Sequence, residues 1–282
     1  MRTPKQEHQS GRKAAKRVLM SMMLSAATFG CVGAKRELPA GVVRESFDFV
    51  HGASVSYLRS GDPSGRRVIF VHGTPGDATN FEHFLVPALA IEGVEAVSID
   101  RPGFGESRGT GRVTSYAEQA AAIEALLVER HGKWPVLVGH SLGGPIVSWA
   151  AAAYAERVDG LVIVAGNLDP ELEQPRWYNQ AAKFPLVSAF IGESMRTSND
   201  EILAAPHETS LLDAMVRQIT APTVVLHGTR DSLVPVENAD YIERSFTGTS
   251  VDKRILEGEG HLIPWRRSEV IREAIVDVLG GK

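Results

Sequence analysis

The pentapeptide Gly139-His140-Ser141-Leu142-Gly143 constrains this chain more than any other stretch. It lies between an apolar run, Trp134-Pro135-Val136-Leu137-Val138, and a small-residue stretch, Gly144 to Ala153, that reads as a helix. A G-x-S-x-G sequence between a strand and a helix makes a tight turn that exposes the serine hydroxyl. Its glycines let the two elements approach closely and tolerate unusual backbone angles. On its own the motif also fits a plain glycine-rich turn, so its context has to decide.

A serine hydroxyl is a poor nucleophile at neutral pH and needs a base within hydrogen-bonding reach and a carboxylate to orient that base. The chain offers both downstream, in the order acid then histidine. Thr223-Val224-Val225-Leu226-His227 reads as a buried parallel strand, and Asp231 follows just past its carboxyl end, where open α/β sheets place their sites. Val251 to Leu256 reads as the next strand, and it leads to His261 on a loop before the last helix. Singly, Asp231 fits a turn former and His261 a solvated loop residue; together with Ser141, in this order, they fit a nucleophile, an orienting acid and a base. A further strand, Arg67 to Val71, is followed by His72-Gly73-Thr74-Pro75-Gly76. The backbone amides of Thr74 and Leu142 are the expected donors to a developing oxyanion, since Pro75 has no N–H to give.

The loop His72 to Gly76 and the segment Ser98-Ile99-Asp100-Arg101-Pro102-Gly103-Phe104-Gly105-Glu106-Ser107, beside the elbow, resemble sequences recurrent in the α/β-hydrolase superfamily. The resemblance runs from roughly Val42 to the C-terminus, and it is to the bacterial members with a small helical cap. It implies an α/β fold with a mainly parallel, doubly wound sheet, helices on both faces and a cap insertion at about 168–218. It also implies that Asp100 is structural. Some members place the acid after the sixth strand, which makes Asp169 the reserve candidate for that role. Relatives that open epoxides or cleave carbon–halogen bonds carry aspartate at the elbow, and Ser141 argues against both chemistries. The implied reaction is acyl transfer to water on a small to medium apolar carboxylic ester. Carbon–carbon bond hydrolysis, amide or peptide hydrolysis, and a ligand-binding receptor on the same scaffold are the alternatives.

The first residues differ from the rest. Arg12, Lys13, Lys16 and Arg17 precede an apolar run, Val18 to Phe29, too short to span a bilayer as a stable helix, and together they read as an export signal over residues 1–34. Cys31, the only cysteine, suggests a lipidated exported protein tethered to a membrane, although Thr28 and Phe29 depart from the usual lipidation sequence. Ordinary cleavage after Ala34 would discard it instead, and a short arm on a cytoplasmic enzyme is the third reading. The segment up to Cys31 holds six basic residues and one acidic, so its removal leaves 24 basic against 33 acidic residues, or −9 in place of −4. Such a domain repels nucleic acid rather than seeking it.

With 43% apolar and 23% charged residues, the chain has the composition of a globular enzyme. Two half-exposed strands are expected at Arg44 to Val50 and Ser54 to Leu58, and a fourth strand at Glu95 to Asp100. Ser115 and Glu118 form a capping-box pattern for a helix reaching about Glu129. The sixth strand, Leu161 to Ala165, and Thr223 are separated by some fifty residues that a doubly wound core does not require. Within that insertion Trp177, Tyr178, Phe184 and Phe190 are candidates to line an apolar substrate pocket, with anchoring of the cap to the core as the alternative. His207 reads as a surface or packing residue. His72, His140 and His227 read as structural, without zinc spacing, and neither a metal nor a cofactor is expected. Gly103 to Gly109 misses the dinucleotide fingerprint because Arg108 takes the third glycine position.

Overall fold

Short runs of branched apolar residues become the strands of one sheet in this computed structural model, which describes residues 37–49, 52–86, 90–175, 179–180, 182 and 191–280. The strands are β1 (Val43–Asp48), β2 (Ser54–Gly61), β3 (Arg66–Val71), β4 (Val94–Ile99), β5 (Val136–His140), β6 (Gly160–Val164), β7 (Thr223–Gly228) and β8 (Val251–Leu256). Their order is β1-β2-β4-β3-β5-β6-β7-β8. β2 pairs antiparallel with both β1 and β4, and the remaining neighbours are parallel. This is the α/β-hydrolase fold.

Successive side chains in a strand point to opposite faces, so each central strand feeds two cores. In β3, Ile69 and Val71 join one apolar layer while Val68 and Phe70 join the other. The first layer is closed by α1 (Tyr116–Glu124), α2 (Gly143–Ala153), α3 (Glu193–Asp213) and α4 (Glu237–Ser245), through residues such as Ile123, Ile146, Leu212 and Ile242. The second is closed by α5 (Ser268–Gly280) and the short turn Ala78–Phe84, through Ile271, Ile275, Phe81 and Phe84. A parallel sheet needs such cover on both faces. No helix among the described residues is long and apolar enough to cross a membrane.

Several boundaries differ from the sequence expectation, β2 for instance running on to Gly61 instead of Leu58, and two of the shifts have a visible cause. β5 runs on through His140, because that residue pairs in register with Val164 of β6. α1 stops at Glu124 instead of about Glu129. The chain tightens there, with Leu126 donating to the Ile123 carbonyl and Leu127 to that of Glu124, and arginines cap the end: Arg157 donates to Glu124 and Leu127, and Arg67 donates to Leu126. The stretch between β6 and β7 is dominated by α3, a helix of 21 residues that accommodates Pro206.

Two buried carboxylates tie neighbouring parts of this frame together. Glu95 in β4 is met by Arg67 at 2.7 Å, Arg130 at 2.9 Å and Arg59 at 3.6 Å. Asp100, just after β4, accepts from Arg44 at 2.5 Å, from the Ala78 amide at 2.7 Å and from the Glu106 amide at 3.2 Å. It thereby joins β1 to two loops, the structural part expected of it. Burial raises the Asp100 pKa, and the Ala78 amide and Arg44 oppose that rise. Asp100→Asn keeps the shape but removes the charge that Arg44 answers, and it should cost about 2–4 kcal/mol in urea unfolding. A loss smaller than about 0.5 kcal/mol, the scatter of ordinary surface changes, would contradict this role.

Candidate active site

The elbow is built by close approach. Ser141 takes φ +54°, in the left-handed region, and its amide donates to Val164 of β6 at 3.0 Å while its carbonyl accepts from Gly144 at 2.8 Å. A Cβ on Gly143 would fall 2.2 Å from the Val71 carbonyl oxygen, and one on Gly139 would fall 2.4 Å from the Gly143 oxygen. The glycines flanking the serine are therefore a steric requirement of packing β5 and α2 against β3. Leu142, buried at the start of α2, follows directly.

Asp231 and His261 are brought together by the loops after β7 and β8. These strands are in register with Gly228 opposite Leu256. Beyond them Thr229 donates to the Leu256 carbonyl and Arg230 to the Glu259 carbonyl, so the two loops run zipped together. His261 Nδ1–H then donates to Asp231 Oδ2 at 2.7 Å, and the other carboxylate oxygen accepts from the amides of Leu233 at 2.9 Å and Val234 at 3.0 Å. Burial alone would raise the Asp231 pKa. The His261 hydrogen bond and charge, with the two amides, outweigh it and hold the carboxyl below its ordinary value.

His140 and His227 tie this pair to the elbow and the sheet. His140 Nε2–H donates to the His261 carbonyl at 3.0 Å, and the two rings lie 4.8 Å apart. The residue that precedes Ser141 thus grips the loop carrying His261. His227 Nε2–H donates to the Val234 carbonyl at 3.1 Å and lies 3.6 Å from Asp231 Oδ2. Burial pushes His140 down to about 3, with the charge of His261 adding to it. Burial also lowers His227 and holds His72 well below the ordinary imidazole range.

The loop after β3 lies against the serine. A Cβ on Gly73 would sit 2.8 Å from Ser141 Cβ and 3.4 Å from its Oγ. Next to Gly73, Thr74 carries an amide that no acceptor among the described residues engages, and the same holds for Leu142. The Gly73 carbonyl accepts from His72 Nδ1–H at 2.7 Å and from Arg101 Nη2 at 2.9 Å. His72 Nε2 in turn accepts from the Arg101 amide at 3.1 Å, which fixes the tautomer of that ring.

The structure therefore brings Ser141, Asp231, His261, Thr74 and Leu142 to one end of the sheet. Asp169, the reserve acid, instead accepts from Arg244 at 2.9 Å and from the Glu171 amide. His207 is exposed on α3. Trp177, Tyr178, Phe184, Phe190 and Cys31 lie outside the described residues. Sequence reasoning did not single out Arg101 or Glu201. Glu201 belongs to a buried stripe on α3, Thr197, Glu201, Ala205, Glu208 and Leu212, whose helical spacing was the available signal.

A family model described as alpha/beta hydrolase fold matches residues 66–189. An uncharacterised hydrolase of Bacillus subtilis (strain 168), YugF, is 23% identical over 82% of this chain and 96% of its own length. A 2-hydroxy-6-oxononadienedioate/2-hydroxy-6-oxononatrienedioate hydrolase of Cupriavidus pinatubonensis is 23% identical over 76% of this chain and 86% of its own. Among solved structures, a serine hydrolase involved in carbazole degradation, the CarC enzyme, matches with TM-score 0.60 and 19% identity, covering 85% of this chain and 99% of that one. Residues 66–189 thus match the alpha/beta hydrolase family model, and the chain as described has the α/β-hydrolase fold.

Two measurements check the packing of the site. Four described histidines have depressed pKa values, and the three packed around the site, His72, His140 and His227, stay neutral in the folded protein, whereas in the unfolded chain they take up protons below about pH 6.5. The unfolded state therefore binds more protons in that window, and stability falls as pH drops from 6.5 toward the folded values. His140→Asn should remove up to about 1.4 kcal/mol per pH unit from that slope between pH 6 and 4, read by urea unfolding. An unchanged slope would mean that His140 is not buried neutral. Gly73→Ala presses a methyl group onto Ser141 and should destabilise the fold by about 1–3 kcal/mol; a neutral substitution would place the loop farther from the serine than described.

Proposed function

We propose that this protein is a serine hydrolase that cleaves a small to medium apolar carboxylic ester through an acyl-enzyme. The observation that carries the reading is the 2.7 Å hydrogen bond from His261 to the buried carboxylate of Asp231, on a loop held by His140, whose neighbour Ser141 sits in the left-handed region. In this reading Ser141 Oγ attacks the ester carbonyl and His261 Nε2 accepts its proton. Asp231 holds the ring with Nδ1 protonated and stabilises the imidazolium that forms. The Thr74 and Leu142 amides receive the charge that develops on the carbonyl oxygen. His261 returns the proton to the departing alcohol, and water then resolves the acyl-enzyme by the same steps in reverse roles.

An apolar substrate is supported by the surroundings of the base. Leu262, Trp265 and Leu233 are 53%, 45% and 44% exposed and neighbour His261 and Asp231 along the chain. Trp265 also packs edge-on to His140, with centroids 5.5 Å apart. The segment 168–218, with α3, is read as the cap over this end of the sheet.

A second reading, hydrolytic cleavage of a carbon–carbon bond, is favoured by the likeness to the oxononadienedioate hydrolase and uses the same three side chains. A chain-length panel of nitrophenyl esters beside a vinylogous diketo acid separates the two by kcat/KM. Ser141→Ala should lower ester turnover by several orders of magnitude, roughly 10⁴-fold or more, and abolish labelling by a fluorophosphonate probe. Turnover near the wild-type rate in that variant would refute the assignment of the nucleophile.

A further inference from the structure

The geometry points to Arg101 and Glu201 as positioning residues that aim the Thr74 amide at the reacting carbonyl oxygen, which couples helix α3 to the oxyanion-binding loop. The inference rests on the oxyanion role given to Thr74 above. The Gly73 carbonyl and the Thr74 N–H belong to one planar peptide unit, so whatever fixes the oxygen also fixes the direction of the N–H. That oxygen is held by two donors, the neutral His72 ring at 2.7 Å and the Arg101 guanidinium at 2.9 Å. A cationic donor on the carbonyl also polarises the amide and strengthens the N–H as a donor.

Arg101 is itself fixed from the far side. It is 1% exposed, and Glu201, wholly buried, meets it with both oxygens, at 2.5 Å to Nη1 and 3.2 Å to Nη2. Gln119 of α1 completes the cluster, accepting from Arg101 Nη1 and donating to Glu201 Oε1 at 2.7 Å. The centroid of the Phe104 ring lies 4.8 Å from the guanidinium carbon. The guanidinium therefore spans the carboxylate of α3 and the carbonyl of Gly73, and a shift of α3 moves the peptide that carries the Thr74 donor.

Glu201 is thus a positioning residue, and its removal tests the coupling. Glu201→Gln strands a buried cation and risks unfolding, so the decisive variant is the double replacement Arg101→Met with Glu201→Met, which removes both charges at similar volume. In a folded double variant kcat for a nitrophenyl ester should fall about 10- to 100-fold, part of the loss that follows removal of an oxyanion donor, with KM changed less than about threefold. Independently of turnover, the Thr74 amide nitrogen, observed in protein labelled with ¹⁵N-threonine and assigned with Thr74→Ser, should move upfield as its peptide loses the cationic hydrogen bond. Arg101→Lys, which keeps the charge but not the fork, should not restore either signal. A folded double variant with kcat within about twofold of wild type, or with an unmoved Thr74 resonance, overturns the proposal. Should Ser141→Ala instead retain ester turnover, the hydrolase reading fails on its own account and the resonance alone decides the positioning role.

Discussion

A side-chain-bearing residue in the left-handed region is the constraint on which the rest of this site depends. Holding Ser141 at φ +54° costs roughly 1–2 kcal/mol, because its Cβ crowds the following carbonyl. The cost is offset locally. α2 can begin only after this turn, and its docking buries Ile146 and Val147 completely, each contributing about 1.5–3 kcal/mol. The strain therefore persists because the helix behind it is worth more than the relaxed turn. Glycines at 139 and 143 are what allow that helix to dock against β3 and β5.

Around that fixed serine the polar groups divide by access to water. His72, His140 and His227 are kept neutral by burial, and each gives its proton to a carbonyl, so each serves as a brace. His261 is 11% exposed and has its Nδ1 engaged by a carboxylate that is itself fully covered. A buried carboxylate is stable here only because it accepts three hydrogen bonds, two of them from its own loop. The acid is thus prepared by backbone geometry, and the histidine is oriented by the acid.

The frame and this pairing were legible in the sequence because both depend on local patterns. Branched runs such as Leu161 to Ala165 can hardly be anything but buried strands, and Asp231 and His261 each follow one. Where helix α1 ends was not legible, since its end is capped by Arg67 and Arg157, which lie far away in the chain. Glu201 was hidden for a related reason. A glutamate on a helix reads as a solvated residue, and the partners that let it be buried, Arg101 and Gln119, lie 100 and 82 positions earlier.

That buried pair is hard to explain as a device for stability. Two charges removed from water lose several kcal/mol of solvation each, and apolar residues of similar volume generally hold a fold as well or better. What an apolar pair cannot do is aim a carbonyl. A guanidinium has rigid, divergent donors, so one edge can be clamped by Glu201 while another holds Gly73, and the direction of the peptide between Gly73 and Thr74 is set by both. Oxyanion stabilisation relies on donors oriented before the charge appears, and orientation is the one property that justifies burying these charges.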